Sequence, residues 1–228
     1  MTDLQEKIAL VTGASRGFGR AVAERLAARG VHVCALARTV GALEELDDRI
    51  KRSGGTATLI PLDITDEDGL SRMGAALHQR WGHVDIWVHT AAYAPPLSPA
   101  EHIGGKELDQ ALGTNIRAFQ RLIRMVDPLL RLAEAPMALI AAEGAMPAKF
   151  HGLYAMTKAA QSALTRAWAV EARGRIAVAE VVPPAMPTAL RGRFYPGEDK
   201  TRLASPDDAA DRLMAQLGEV APGVRIAL

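Results

Sequence analysis

Tyr154 and Lys158, in the run Tyr154-Ala155-Met156-Thr157-Lys158, place a phenol and an ammonium on one face of a helix, because residues four apart are neighbours there. A free tyrosine, with a pKa of about 10, exchanges protons poorly at neutral pH. A fixed cation beside it favours the phenolate and lowers that pKa, so the pair could give a proton to a carbonyl or take one from an alcohol. By itself Tyr-x-x-x-Lys also arises on surface helices with no such role. The second chemical feature is the turn Thr12-Gly13-Ala14-Ser15-Arg16-Gly17-Phe18-Gly19. It lies between the apolar run Ile8 to Val11 and a helical pattern that carries Val22 and Leu26 as far as Gly30. A strand that passes through glycines into a helix offers backbone N–H groups at the positive end of the helix dipole, which suits a phosphate or pyrophosphate. The spacing Gly-x-x-x-Gly-x-Gly is neither Gly-x-Gly-x-x-Gly nor a P-loop, since no Gly-Lys-Ser/Thr follows. The alternative is a tight strand-to-helix turn with no ligand.

Such residues need a scaffold, and strand and helix signals alternate along the chain. Further strands are expected at Val31 to Leu36, Thr56 to Leu62, Val84 to Val88, Met137 to Ala142, Ile176 to Val182 and, very short, Val224 to Leu228. Helices are expected from Val40 to Lys51, from the acidic start Thr65-Asp66-Glu67-Asp68 to Trp81, from Glu101 to Leu112, from Asn115 to Leu132 with Pro128 bending or fraying it, from Gly152 to Arg173, and from Pro206 to Leu217. Repeated βα units predict one α/β domain over residues 1–228, a doubly wound, mostly parallel sheet in three αβα layers. Ligands of such sheets bind beyond the carboxyl ends of the strands, where the turn at Gly13 lies.

Bulk properties exclude classes rather than choose one. A net charge of +1 without a run of five like charges speaks against nucleic acid and anionic membranes. The polar start Met1-Thr2-Asp3-Leu4-Gln5-Glu6-Lys7 and the absence of a long apolar run predict a cytoplasmic protein with no membrane span. The one cysteine, Cys34, rules out a disulfide within the chain, and the six histidines are scattered, so no metal site is expected.

With both motifs in place, the chain resembles the short-chain dehydrogenase/reductase family along nearly its whole length, which implies a Rossmann-like fold. Four further segments carry the resemblance: Leu62-Asp63-Ile64-Thr65, His89-Thr90-Ala91-Ala92, Thr114-Asn115-Ile116 and Val182-Pro183-Pro184-Ala185-Met186-Pro187-Thr188. It implies that Tyr154 exchanges the proton while hydride moves to or from a nicotinamide. Lys158 would hold the ribose and lower the tyrosine pKa, and Asn115 would orient Lys158 and a water. The cofactor would lie on Gly13, Ser15, Arg16, Gly17, Phe18 and Gly19, on Asp63 at the adenine, on Ala91, and on Pro183 and Thr188 at the carboxamide.

Three departures stand out. The family's serine falls at Ala141, thirteen residues before Tyr154, with Ala142 beside it, and alanine donates no side-chain hydrogen bond. Glu143 is near but, ionised, only accepts. The family's Asn-Asn-Ala-Gly becomes His89-Thr90-Ala91-Ala92, and Pro184 replaces a glycine. At the end of the second strand stands Ala37-Arg38-Thr39 rather than an acid, so Arg38 and Arg16, with no competing carboxylate, favour NADP over NAD. The expected function is NADP(H)-dependent oxidoreduction of a small or medium carbonyl or alcohol; the alternative is an NADP-binding protein with little turnover. Tyr93, Pro95, Pro96, Leu97, Met146, Phe150, Met186, Leu190, Phe194 and Tyr195 would line an apolar substrate pocket, with residues 185–204 as a lid. Ala155, Ala159, Ala163 and Ala167 form a ridge that permits close helix packing, and Phe119, Leu122, Val126 and Leu130 on the helix before it could supply an apolar stripe. The resemblance places these two helices at a two-fold interface and so implies a homo-oligomer, dimer or tetramer, while the ridge could instead face the sheet.

Overall fold

In the computed structural model, which describes residues 4–143 and 148–228, the apolar run after Lys7 becomes β1 (Ile8–Thr12), buried at every position. A continuous apolar strand is what a parallel sheet covered on both faces requires. The chain continues through α1 (Gly17–Ala27), β2 (His32–Ala37), α2 (Val40–Arg52), β3 (Thr56–Pro61), α3 (Glu67–Trp81) and β4 (Ile86–His89). Then follow α4 (Gly105–Leu112), α5 (Ala118–Leu130), β5 (Met137–Ala141), α6 (Gly152–Glu171), β6 (Ala177–Val182), α7 (Ala189–Phe194), α8 (Pro206–Gln216) and β7 (Arg225–Ala227). Among the described residues the strands form one sheet in the order β3-β2-β1-β4-β5-β6-β7, every pair parallel.

Alternate residues of β1 feed two cores. Ala9 and Val11 pack with Val22 and Leu26 of α1, Leu46 of α2 and Leu213 of α8. Ile8 and Leu10 pack with Leu77 of α3, Phe119 and Leu122 of α5 and Trp168 of α6. The result is the doubly wound, Rossmann-like three-layer fold. The order reverses at β1, whose neighbours are β2 and β4, and the crevice there is where such sheets bind ligands.

Local signals account for most boundaries. Asp66 caps α3 by accepting from Gly69 N at 2.9 Å, and Gly82 ends that helix in the left-handed region. Two boundaries depart from expectation. A separate helix starting at Asn115 is not formed; α4 runs into a π-helical turn, Gly113–Arg117, and on into α5. Pro128 lies inside α5, two residues before its end, where one missing backbone donor does not stop the last turn. The segment expected as a lid at 185–204 contains α7, capped by Thr188, whose hydroxyl accepts from Arg191 N at 3.3 Å.

The supposed interface stripe is also corrected. Phe119, Leu122, Val126 and Leu130 are fully buried in the core beneath the sheet. Ala159, Ala163 and Ala167 of the opposing ridge are exposed, so α6 turns them outward rather than toward the sheet.

Candidate active site

The turn after β1 is held against the end of β4. Thr90 Oγ1 donates to Thr12 O at 2.9 Å and lies 3.3 Å from Gly13 O. Gly13 has φ +87°, and a Cβ there would sit 2.7 Å from Ala91 N. A Cβ on Gly19 would press on Thr90 Oγ1 and on the Gly13 carbonyl. The backbone is thus bare where the helix begins. Arg16, the N-cap of α1, makes no side-chain cap, and the first turn carries no acid. Uncapped N–H groups at a helix start beside glycines fit a pyrophosphate.

From this turn a groove of about 440 Å³ follows the strand ends. It brings together Gly13, Ser15, Arg16, Gly17, Phe18, Gly19, Arg38, Asp63, Ala91, Lys158, Pro183 and Thr188, with Tyr154 also in its lining. Arg38 does face a carboxylate, contrary to expectation: its Nη1 is 3.5 Å from Asp63 Oδ2. Asp63 is oriented by Thr65, whose N and Oγ1 donate to Oδ1 at 2.9 and 2.8 Å. The acid arrives from the loop after β3, which spacing along β2 does not reveal.

Asn115 does not line the groove but is buried behind it, in the π-helical turn. Its Oδ1 accepts from Tyr93 N at 2.7 Å, and its Nδ2 donates to Tyr93 O at 2.9 Å and Thr157 Oγ1 at 3.0 Å. Asn115 therefore clamps the loop after β4 to α6. Such turns recur at functional sites. Its link to Lys158 runs through a side chain that the motif reading missed, Gln161. Lys158 Nζ donates to Ala141 O at 2.7 Å and to Gln161 Oε1. Gln161 Nε2 lies 3.3 Å from Asn115 O and 3.2 Å from His89 Nε2. Gln161 follows Tyr154 and Lys158 at seven and three residues, so helical spacing alone could have found it.

The amide orientation sets the rest of this chain. With Gln161 Oε1 taken by Lys158, its NH2 donates, so His89 Nε2 accepts and Nδ1 carries the proton. Nδ1 then donates to Thr12 Oγ1 at 2.7 Å, and that hydroxyl to Val88 O at 3.2 Å. Burial, reinforced by the Lys158 charge, pushes His89 down to about 3, which keeps it neutral. Burial likewise pushes Lys158 down to about 8, against the raising pull of Glu143 and Glu180.

Tyr154 corrects a further expectation. Its hydroxyl donates to Glu143 Oε1 at 2.7 Å. Burial first, then the Glu143 charge and hydrogen bond, push the phenol up rather than down. Its ring meets Phe194 of α7 at 5.0 Å between centroids. Beyond Tyr154 opens a second cavity of about 720 Å³, walled by His151, Met156, Leu190, Phe194, Tyr195 and the arginines 166, 191 and 225. Of the expected pocket residues, Leu190, Phe194 and Tyr195 line this cavity, and Tyr93, Met186 and Leu190 line the groove. Pro95, Pro96, Leu97 and Phe150 line neither, and Met146 lies outside the described residues.

Comparison with known proteins agrees with this fold. The family model for short chain dehydrogenase matches residues 7–199. A short chain dehydrogenase from Pseudocercospora fijiensis is 31% identical over 214 residues, covering 90% of this chain and 64% of that protein. The chain thus spans a little under two thirds of that relative's length. Dehydrogenase/reductase SDR family member 11 from Bos taurus is 30% identical over 92% of this chain and 89% of its own. A solved structure from Beutenbergia cavernae, with bound NADP at low occupancy, superposes with a TM-score of 0.88 at 27% identity, covering 99% of this chain and 96% of that one.

Proposed function

The chain belongs to the short-chain dehydrogenase family, and on that footing we propose that it is an NADP(H)-dependent oxidoreductase of a small or medium carbonyl or alcohol, with Tyr154 as its acid/base. The observation that carries this reading is that one groove contains both the glycine turn and the Tyr154–Lys158 pair. A nicotinamide dinucleotide bound there supplies or accepts hydride. The turn from Gly13 to Gly19 would hold its pyrophosphate, Arg16 and Arg38 a 2′-phosphate, and Lys158 the ribose nearest Tyr154. Pro183 and Thr188 would border the carboxamide. Bound NADP in the Beutenbergia cavernae structure supports this choice of cofactor. Asn115 and Gln161 act behind the groove by fixing where Lys158 points.

The apolar part of the larger cavity, Leu190, Phe194, Tyr195 and Met156, suits a substrate with a modest hydrocarbon body. Ala141 and Ala142 line the groove without a hydroxyl, so polarisation of a substrate oxygen would fall to Tyr154. A homo-oligomer belongs to the same reading, through the exposed alanines of α6 with Val170 beside them. Light scattering at micromolar concentration checks it, and a monomer there removes it. Among the described residues no helix is long and apolar enough to cross a membrane.

The deciding experiment follows NADPH oxidation, and NADP reduction, over aldehydes, ketones, quinones and alcohols, with Tyr154→Phe alongside. Turnover in the parent that Tyr154→Phe loses is the expected result. A variant as active as the parent removes Tyr154 from the chemistry. Tight NADPH binding with less than one turnover would instead favour a binding protein.

A further inference from the structure

We propose that Glu143 is the proton relay of this site, carrying the Tyr154 proton to and from the solvent of the larger cavity; this rests on the reading of Tyr154 as the acid/base. Two exits from Tyr154 can be compared. The first leads through Lys158, which lines both the groove and the larger cavity, and on into the core. Lys158 is buried and its ammonium bonds to Ala141 O and Gln161 Oε1. From Gln161 the chain passes to neutral His89, to Thr12 and to the carbonyl of Val88. Gln161 is a neutral amide, with no titrating proton to hand on, and Thr12, His89 and Gln161 are all buried. Past Lys158 this chain leads only into the core.

The second exit is one bond long. Tyr154 Oη lies 2.7 Å from Glu143 Oε1, and Glu143 is exposed and lines both the groove and the 720 Å³ cavity. Its backbone is tied down from the far edge of the sheet, since Arg225 Nη2 donates to Glu143 O at 2.5 Å. The carboxylate is therefore held against the hydroxyl on one side and open to the cavity on the other. Lys158 of α6 and Arg191 of α7 act on its charge, and Arg225 of β7, which pairs with Glu180 of β6, reaches its backbone.

The geometry also gives the step its direction. In alcohol oxidation the substrate O–H proton passes to Tyr154 Oη while the Tyr154 proton passes to Glu143 Oε1. Glu143 becomes a neutral acid and releases that proton to water, and no free phenolate has to exist in the buried site. In carbonyl reduction the same proton runs backward, from protonated Glu143 to Tyr154 and from Tyr154 to the substrate oxygen. Oxidation thus needs Glu143 ionised, as a hydrogen-bond acceptor for Tyr154, and reduction needs it protonated.

Glu143→Gln tests the relay, because the amide can still accept from Tyr154 but cannot take its proton. For alcohol oxidation the expected result is a fall in kcat of roughly a hundredfold, with KM little changed and the acid-side limb of the pH profile abolished. Glu143→Asp should restore part of the rate and the limb. A second readout needs no substrate. Tyr154 ionisation, followed as tyrosinate absorbance of the parent minus that of Tyr154→Phe, should move to lower pH in Glu143→Gln, since a neutral amide no longer opposes the phenolate. A Glu143→Gln protein that keeps the parental kcat and acid limb while Tyr154→Phe is inactive overturns the relay and leaves the Tyr154 reading standing. An active Tyr154→Phe overturns both, and a Tyr154 ionisation unmoved by Glu143→Gln overturns the relay even if no substrate turns over.

Discussion

Arg38 and Asp63 meet at the edge of the groove, Nη1 to Oδ2 at 3.5 Å, with both side chains well exposed. An exposed pair of this kind is worth about 0–1 kcal/mol. A charge-assisted bond from the same guanidinium to a 2′-phosphate nets about 1.5–3 kcal/mol. On these magnitudes a 2′-phosphate would win the arginine from Asp63 rather than be excluded by it. NADPH should bind at least tenfold tighter than NADH, and Arg38→Glu should collapse that ratio. Titrating both nucleotides into the two proteins checks this; equal affinity in the parent ends the charge argument.

Gly19 tests whether the turn's glycines serve the ligand or the fold. A Cβ there meets Thr90 Oγ1 and the Gly13 carbonyl, and the second of these is backbone that cannot rotate away. Gly19→Ala should therefore lower stability without any nucleotide present, by about 1–3 kcal/mol, the usual cost of overpacking. Thermal unfolding of the unliganded protein reads it. An unchanged Tm with lost nucleotide binding would show instead that the glycine matters only for ligand approach.

How much of this was legible beforehand depended on whether a residue's partner lay nearby in the chain. The buried strand at Ile8, the glycine turn, the acidic helix start at Thr65-Asp66-Glu67-Asp68 and the long helix through Tyr154 rest on local pattern, and the structure forms them there. Phe119 to Leu130 read as an apolar stripe, but periodicity alone does not say whether sheet or partner covers it; the sheet does. Arg38 looked unopposed because Asp63 comes from another βα unit, twenty-five residues on. Tyr154 looked like a phenol eased by lysine, yet the lysine is held by Ala141 and Gln161 while Glu143 takes the hydroxyl. Helix α7 escaped because six residues, Ala189–Phe194, are too few for periodicity.

Lys158 makes the stability of the fold depend on pH in a window that can be named. Burial lowers it from 10.5 to about 8. Below that both folded and unfolded chains carry the proton, and the folded state bears the full cost of a buried ammonium. Between about 8 and 10.5 the unfolded chain keeps a proton that the folded chain has released, so stability rises with pH across this range. The gain is at most about 3 kcal/mol. Urea unfolding at several pH values, for the parent and Lys158→Met, should show the parent gaining on the variant through the window. Parallel curves would mean that the ammonium is not held at a cost.

Ala141 ends β5 and Ala142 follows it, and both line the groove with Tyr154. The backbone there is fixed, since the Ala141 carbonyl takes Lys158 Nζ at 2.7 Å. Ala141→Ser adds a single oxygen at a half-buried position, so its steric cost is small. With the hydroxyl aimed at the substrate oxygen, carbonyl turnover should rise, by up to about a hundredfold for a well-placed donor. Tyr154→Phe in the same background should erase the gain, because serine polarises the carbonyl but does not deliver the proton. Ala142→Ser, made in parallel, tells which of the two positions faces the reacting atom. The single and double variants are compared on one carbonyl panel by NADPH oxidation. If neither serine raises turnover while NADPH still binds, the missing hydroxyl is not what limits this site, and the changed His89–Ala92 segment and Pro184 become the groups to alter next.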